Sequence, residues 1–215
     1  MRLNILLFAL GCAVLGSNIS FGAISTGTSV EFVNALTNKT IDEVDVPNTF
    51  GVRLSGSVYV PATESVTHEF SMSAAPQWGT KTTSISYYGG GNAIYGSDKI
   101  DMFNVPLMAG YKMHYHLSEK LVANIGGRVG YTIIDADDSY SGRVNGTYVS
   151  GKEDAGIDGG FTFAVGAGMS YQYAENCYYT FGYEFQDTSI SFDDPETSDT
   201  HIGQHVISAG INVRF

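Results

Sequence analysis

His114 and His116 stand two residues apart, a spacing that on a β-strand turns both imidazoles to one face, where two of them can bind one metal ion. A metal site needs a third or fourth ligand, and none follows at a recognisable spacing, so polar filling is the role the pair supports. Acid is grouped four times: Asp42, Glu43 and Asp45; Asp135, Asp137 and Asp138; Glu153, Asp154 and Asp158; and Asp193, Asp194, Glu196 and Asp199. Such groups can hold Ca²⁺ or bridge divalent cations to lipopolysaccharide phosphates. Neither 135–138 nor 193–199 has the spaced ligands and turn glycine of an EF-hand, which favours a solvated, mutually repelling surface. Ser208 with His201 or His205 and Glu184 has the residue types of an acyl-transfer site, but the spacing matches no motif, and we expect no enzyme activity. Cys12 and Cys177 have no partners for a disulfide, metal or redox site, and no cofactor is expected.

Any chemistry must be positioned by elements that the composition already constrains. The chain has 215 residues, 43% hydrophobic, 13% aromatic and only 15% charged, with 26 Gly and 14 Tyr. Glycine, aromatic and β-branched residues outweigh strong helix formers, and no mature segment holds 18 consecutive apolar residues, so strands and not helices are expected. Residues 1–23 read as a secretory signal, with Arg2, an apolar run from Leu3 to Leu15, and small residues up to Gly22 and Ala23, near which cleavage is expected. Lipidation at Cys12 is the alternative. Residues 24–215 then form one acidic domain, and without a basic stripe no nucleic-acid partner is expected.

Period-2 alternation and turn punctuation predict strands at 27–36, 49–60, 65–78, 100–117, 120–134, 160–174, 178–190 and 202–215. The connections alternate between long polar stretches (38–47, 79–99, 135–159, 192–201) and short turns (61–64, 118–119, 175–177). Phe161, Phe163, Val165, Ala167, Met169, Tyr171 and Tyr173 alternate with Thr162, Ala164, Gly166, Gly168, Ser170 and Gln172, and strands five, seven and eight repeat this. One face is continuously apolar; the other is mostly Gly, Ser, Thr and Asn. A soluble barrel turns its apolar face inward and carries Lys and Glu outside, whereas small polar residues suit a narrow filled interior. Aromatics gather at both strand ends: Phe50, Trp78, Phe103, Tyr131, Phe161 and Phe185 towards the long loops, and Tyr115, Tyr171, Tyr173, Tyr179 and Phe215 towards the turns. Two girdles of this kind mark membrane interfaces. The reading is all-β: an eight-stranded antiparallel up-and-down transmembrane β-barrel in the outer membrane, with tight periplasmic turns and longer external loops.

On that phase Glu31, Arg53, Glu69, Lys112, Arg128, Glu184 and Arg214 point into the lumen, where unpaired charge is costly, and a paired network is expected. It is read as a structural plug; the sharper alternative is a gated ion path. His68 and His205 fall on the lipid-facing phase near strand ends. Pro106 removes a ladder hydrogen bond from a wall that has no edge, so a bulge is expected there.

The stretch Val105-Pro106-Leu107-Met108-Ala109-Gly110-Tyr111-Lys112, then Leu117-Ser118-Glu119-Lys120-Leu121 and Gly126-Gly127-Arg128-Val129-Gly130-Tyr131, resembles the strand-turn-strand core of the bacterial outer-membrane β-barrel domain family related to OmpA and OmpX. Val165 to Tyr171, Ala174-Glu175-Asn176 and Phe181 to Phe185 are similar to its later strands. Val213-Arg214-Phe215 resembles its closing signal; by that resemblance Ile211, Val213 and Phe215 are what the barrel-assembly machinery reads. The likeness covers most of residues 100–215 and bears on fold more than on activity. Larger members continue into a peptidoglycan-binding domain, which is not expected here. The partners implied are outer-membrane lipids, lipopolysaccharide and an extracellular ligand or host surface met by acidic external loops. The functional expectation is envelope support or surface adhesion, with a small-solute or ion channel as alternative and a lipid-modifying enzyme behind it.

Overall fold

A computed structural model describes residues 24–37, 40–41, 44–89, 92–154, 157–192 and 200–215. The signal segment with Cys12, and Asp42, Glu43, Asp193, Asp194, Glu196 and Asp199, lie outside the described residues. The strands are β1 (Ser25–Thr37), β2 (Thr40–Ile41), β3 (Val44–Asp45), β4 (Thr49–Pro61), β5 (Val66–Ala74), β6 (Gln77–Gly89), β7 (Asn92–His116), β8 (Leu121–Val144), β9 (Thr147–Asp154), β10 (Ile157–Asp158), β11 (Phe161–Ala174), β12 (Cys177–Phe192) and β13 (Thr200–Arg214).

Eight of them form the wall. β1 pairs β4, β4 pairs β5, β5 pairs β7, β7 pairs β8, β8 pairs β11, β11 pairs β12, β12 pairs β13, and β13 returns to β1, every pair antiparallel. Because that ring of pairings closes, none of the eight leaves a ladder open along the wall. The alternation places Phe32, Phe70, Ile125, Val129, Val165, Phe181 and Ile207 on the outside, exposed, while Glu31, Arg53, Glu69, Arg128 and Glu184 are buried within. No helix among the described residues is long and apolar enough to cross a membrane.

The girdles form cross-strand rows. Phe50 pairs Trp78 and Trp78 pairs Phe103, with the last two rings 5.4 Å apart. At the turn end Tyr173 stacks on Tyr179 at 4.2 Å.

Three expectations are corrected. The predicted third strand, 65–78, is broken at Ala75–Pro76 into β5 and β6, with the pairing register to β4 and β7 unchanged across the break. That break also removes the expected bulge: Pro106 pairs Thr132 in a continuous β7–β8 register. Its ring nitrogen faces the interruption, and Ala75 N donates to Pro106 O at 3.1 Å, so the missing donor falls where β5 and β6 already stop.

The third correction is larger, because the stretches read as long loops at 79–99 and 135–159 are mostly strand. β7 has 25 residues and β8 has 24, whereas about 9–11 residues cross a bilayer. The excess forms a four-stranded extension in the order β6-β7-β8-β9 beyond the girdle. Its β8–β9 hairpin closes through Asn145 (φ 49°) and Gly146 (φ 84°), the two left-handed positions of a type I′ turn.

Candidate functional site

The lumen is filled in layers, each set by where a strand's inward phase carries a polar or apolar residue. Nearest the turns, His114 Nε2 donates to Glu69 Oε2 at 2.6 Å, and Ser57 Oγ donates to Glu69 Oε1 at 2.9 Å. Asn212 Nδ2 donates to the Tyr59 hydroxyl at 2.9 Å. The Arg214 guanidinium lies between two rings, 4.2 Å from Tyr59 and 4.3 Å from Tyr178, a cation–π contact instead of an ion pair.

The next layer is an ionic cluster. Arg53 donates from Nη1 to Glu31 Oε2 at 2.9 Å and from Nη2 to Glu184 Oε2 at 3.0 Å. Arg128 Nη2 donates to the same Glu184 oxygen, and its Nη1 donates to Ser73 Oγ at 3.3 Å. Two guanidinium groups and two carboxylates make the cluster neutral, the condition under which charge is tolerated in such a space. Glycine makes the room. Arg128 pairs Gly110 across the ladder, Lys112 pairs Gly126, Glu184 pairs Gly166 and Glu31 pairs Gly210. A Cβ on Gly110 would lie 2.6 Å from Arg128 Cγ. The cavity left among these groups is about 40 Å³, room for about three water molecules.

Above the charges lies a hydroxyl and amide layer. Thr162 Oγ1 is 2.6 Å from Thr132 Oγ1 and 3.0 Å from Thr188 Oγ1; Gln186 donates to Gln204 at 3.4 Å, and Gln204 donates to Thr37 at 3.0 Å. The last layer is apolar: Val46, Met102, Ala136, Ile190 and Ile202 are buried together with Ile134 against them. The inward phase therefore changes character at the hairpin end, and the polar interior is capped by hydrocarbon.

Of the seven charges singled out in the sequence, Glu31, Arg53, Arg128 and Glu184 come together. Glu69 sits apart with His114; Lys112 lines the same cavity, half-buried and with no ion pair among the described residues; Arg214 stays among the tyrosines. His116 lies 3.2 Å from Thr67 Oγ1. Among the described residues no three His, Cys, Asp or Glu are grouped to hold a metal. The acyl-transfer set is not assembled: Ser208 is buried in the lumen, His205 faces outward 2.6 Å from the Tyr183 hydroxyl, and His201 Nδ1 lies 3.0 Å from Asp187 Oδ2. His68 faces outward against Tyr111 in the same manner, its Nδ1 2.8 Å from the hydroxyl. Ile211 and Phe215 are exposed on the outer phase of β13 and its end, and Phe215 N donates to Thr26 O at 2.7 Å.

The apolar cap and the extension were missed in the sequence. The extension carries Lys81, Lys99, Arg143 and Lys152 above the girdle, with Lys99 paired to Asp101 at 2.6 Å and Lys152 to Asp137 at 3.1 Å. Thr80 Oγ1 donates to Asp101 at 2.6 Å, and these two neighbours, Lys99 foremost, hold the Asp101 carboxyl below the usual range. Tyr88 (84%), Tyr148 (66%) and Tyr95 (57%) are widely exposed.

Residues 5–215 match the family model described as outer membrane protein beta-barrel domain. No curated protein sequence matches the chain. Among solved structures it is similar to Ail, the attachment invasion locus protein of Yersinia pestis (14% identity, 89% of this chain and 97% of that one, TM-score 0.41). It is also similar to Neisserial surface protein A (11%, 90% and 98%, 0.46) and to OprG from Pseudomonas aeruginosa (12%, 90% and 96%, 0.48).

Proposed function

Because the chain belongs to the outer membrane protein β-barrel domain family and is an integral protein of the outer membrane, we propose that it is a non-enzymatic surface-contact protein whose working part is the external extension. The observation that carries this reading is the β6-β7-β8-β9 sheet, which continues the wall strands beyond the girdle and raises Tyr88, Tyr95, Tyr148, Arg143 and a series of serines into the medium. Exposed tyrosine and serine give large amphipathic contact area and adaptable hydrogen bonding at low cost in side-chain order. A rigid scaffold that varies at its external tips is where binding is commonly placed.

The channel reading rests on the charged lumen. Against it stand a filled interior, a cavity of about 40 Å³ and the apolar cap; an eight-stranded barrel leaves space for side chains and little more.

The test displays the full chain on cells that lack it and compares it with a variant whose two hairpins are cut back to residues 82 and 99 and to 139 and 152. Adherence to host-cell or matrix-coated surfaces is expected to fall to background in the variant while its heat-modifiable gel shift remains. Equal adherence of the two proteins would overturn the proposal.

A further inference from the structure

A strand at the margin of a sheet presents backbone donors and acceptors with nothing to receive them, and proteins usually blunt such margins with proline, a bulge or a covering segment. The extension has two. Among the described residues, β9 pairs β8 and no other strand, and β6 beyond Trp78 pairs β7 and no other strand. Neither β9 nor β6 contains proline, and neither ladder shows a register shift.

Which groups are free follows from the hairpins. Val144 and Thr147 flank the two-residue turn and form the closing hydrogen-bonded pair, so Thr147, Val149 and Gly151 direct their backbone groups to β8. Tyr148, Ser150 and Lys152 direct theirs outward. Ala75 N donates to Pro106 O, and the register stays unchanged up to Gly89 opposite Asn92, so the odd-numbered residues of β6 face β7 and Thr80, Thr82, Ser84, Ser86 and Tyr88 carry its outward groups. Val52 N donates to Pro76 O at 3.2 Å, which puts the even-numbered residues of this strand on the side away from β7.

The two margins also differ in direction. β6 ascends from the membrane and β9 descends towards it, as the antiparallel order β6-β7-β8-β9 requires. Copies in one outer membrane all stand the same way up. Side by side, β9 of one copy and β6 of the next are antiparallel, whereas two β9 margins or two β6 margins are parallel, the less stable pairing. The side-chain faces agree as well. Ser84, Ser97, Ser141 and Ser150 form one cross-strand row, so the outward residues of both margins present their side chains on the same face of the sheet.

We propose that the free margins of β9 and β6 join neighbouring copies of this protein, β9 of one to β6 of the next, so that their extensions merge into a continuous external sheet. The contact is heterologous, with different surfaces on the two copies, and it propagates along a row of barrels or closes into a ring.

The test uses the full chain in its own outer membrane with Cys177→Ser as background. One allele carries Ser150→Cys; a second carries Thr82→Cys, Ser84→Cys or Ser86→Cys in turn. Mild oxidation of membranes that contain both alleles is expected to give a disulfide-linked dimer of one copy of each, strongest for one of the three β6 positions. Ser150→Cys alone and Tyr140→Cys on the interior strand β8 stay at background. Ser150→Pro carried by every copy present tests the strand itself in chemical cross-linking. Proline at 150 removes an outward N–H and spares the β8 ladder, so the heat shift is kept while dimers fall at least fivefold. Mixed dimers no more abundant than those of Ser150→Cys alone, dimers that survive Ser150→Pro, or monomers throughout would each overturn the proposal.

Discussion

Glu184→Gln tests whether the lumen cluster holds the barrel together. One carboxylate oxygen of Glu184 accepts from both Arg53 and Arg128, and among the described residues Arg128 donates to no other carboxylate. Arg53 keeps Glu31 at 2.9 Å. The substitution leaves volume almost unchanged and turns a neutral cluster into one with a net positive charge, both guanidinium groups being buried. Removing one partner of a buried ion pair costs about 3–5 kcal/mol, because the remaining charge stays out of water. With a urea slope of about 2 kcal/mol per molar, the unfolding midpoint in lipid bilayers drops by about 2 M. The single tryptophan, Trp78 in the outer girdle, reports unfolding by its emission, and the cold-versus-boiled gel shift reports closure. Glu31→Gln removes one acceptor from an arginine that retains Glu184, and costs less, about 1–3 kcal/mol. The paired replacement Glu184→Leu with Arg128→Met recovers most of the loss, since apolar residues of similar volume leave no stranded charge. A midpoint shift under about 0.5 M for Glu184→Gln, or equal losses for Glu31→Gln and Glu184→Gln, would refute the reasoning.

Three further outcomes are expected. Gly110→Ala places a methyl against Arg128 Cγ and lowers stability by about 1–3 kcal/mol, while Ala109→Gly on the outer phase of the same strand costs less; urea titration of both decides. Replacing Met102 and Ile190 by serine opens the apolar cap and is expected to raise single-channel conductance in planar bilayers above that of the unaltered protein, whereas an unchanged trace would show that the cap is not what closes the lumen. The depressed Asp101 carboxyl is stabilising above its unfolded pKa, and that contribution is lost only as pH falls through the lower folded value. Carboxyl NMR should therefore find Asp101 titrating below an aspartate in a peptide of the same local sequence, and Lys99→Met should bring it back up.

The wall was legible because a bilayer outside and a packed polar lumen inside impose opposite demands on successive residues, as in Phe161 to Tyr173. The same logic put Arg53 and Glu184 inside, though not next to each other: residues 131 apart in sequence meet only through the closure of the ring. The extension escaped because Thr82, Ser84 and Ser86 meet water with polar side chains in a run of threonine and serine that carries little period-2 contrast. Asn145-Gly146 was the signal that remained, a dipeptide suited to a two-residue hairpin. Ile190 and Ile202 were read only as strand ends, because apolar residues at an inward phase do not fit the polar-lumen rule, and so the cap they build with Met102 and Ala136 went unseen. Pro106 misled because the accommodation lies on a different strand, at Ala75–Pro76, not in its own neighbourhood.

The unbroken β7–β8 ladder, from Ile94 opposite Val144 to His116 opposite Val122, also has a mechanical meaning. At about 3.3 Å per residue, each strand runs roughly 80 Å without a hinge, so the part that meets the outside world and the part held by lipid are one beam. A pull on the tip along the strands loads many backbone hydrogen bonds together in shear, and the force is passed into the girdle without first unfolding a linker.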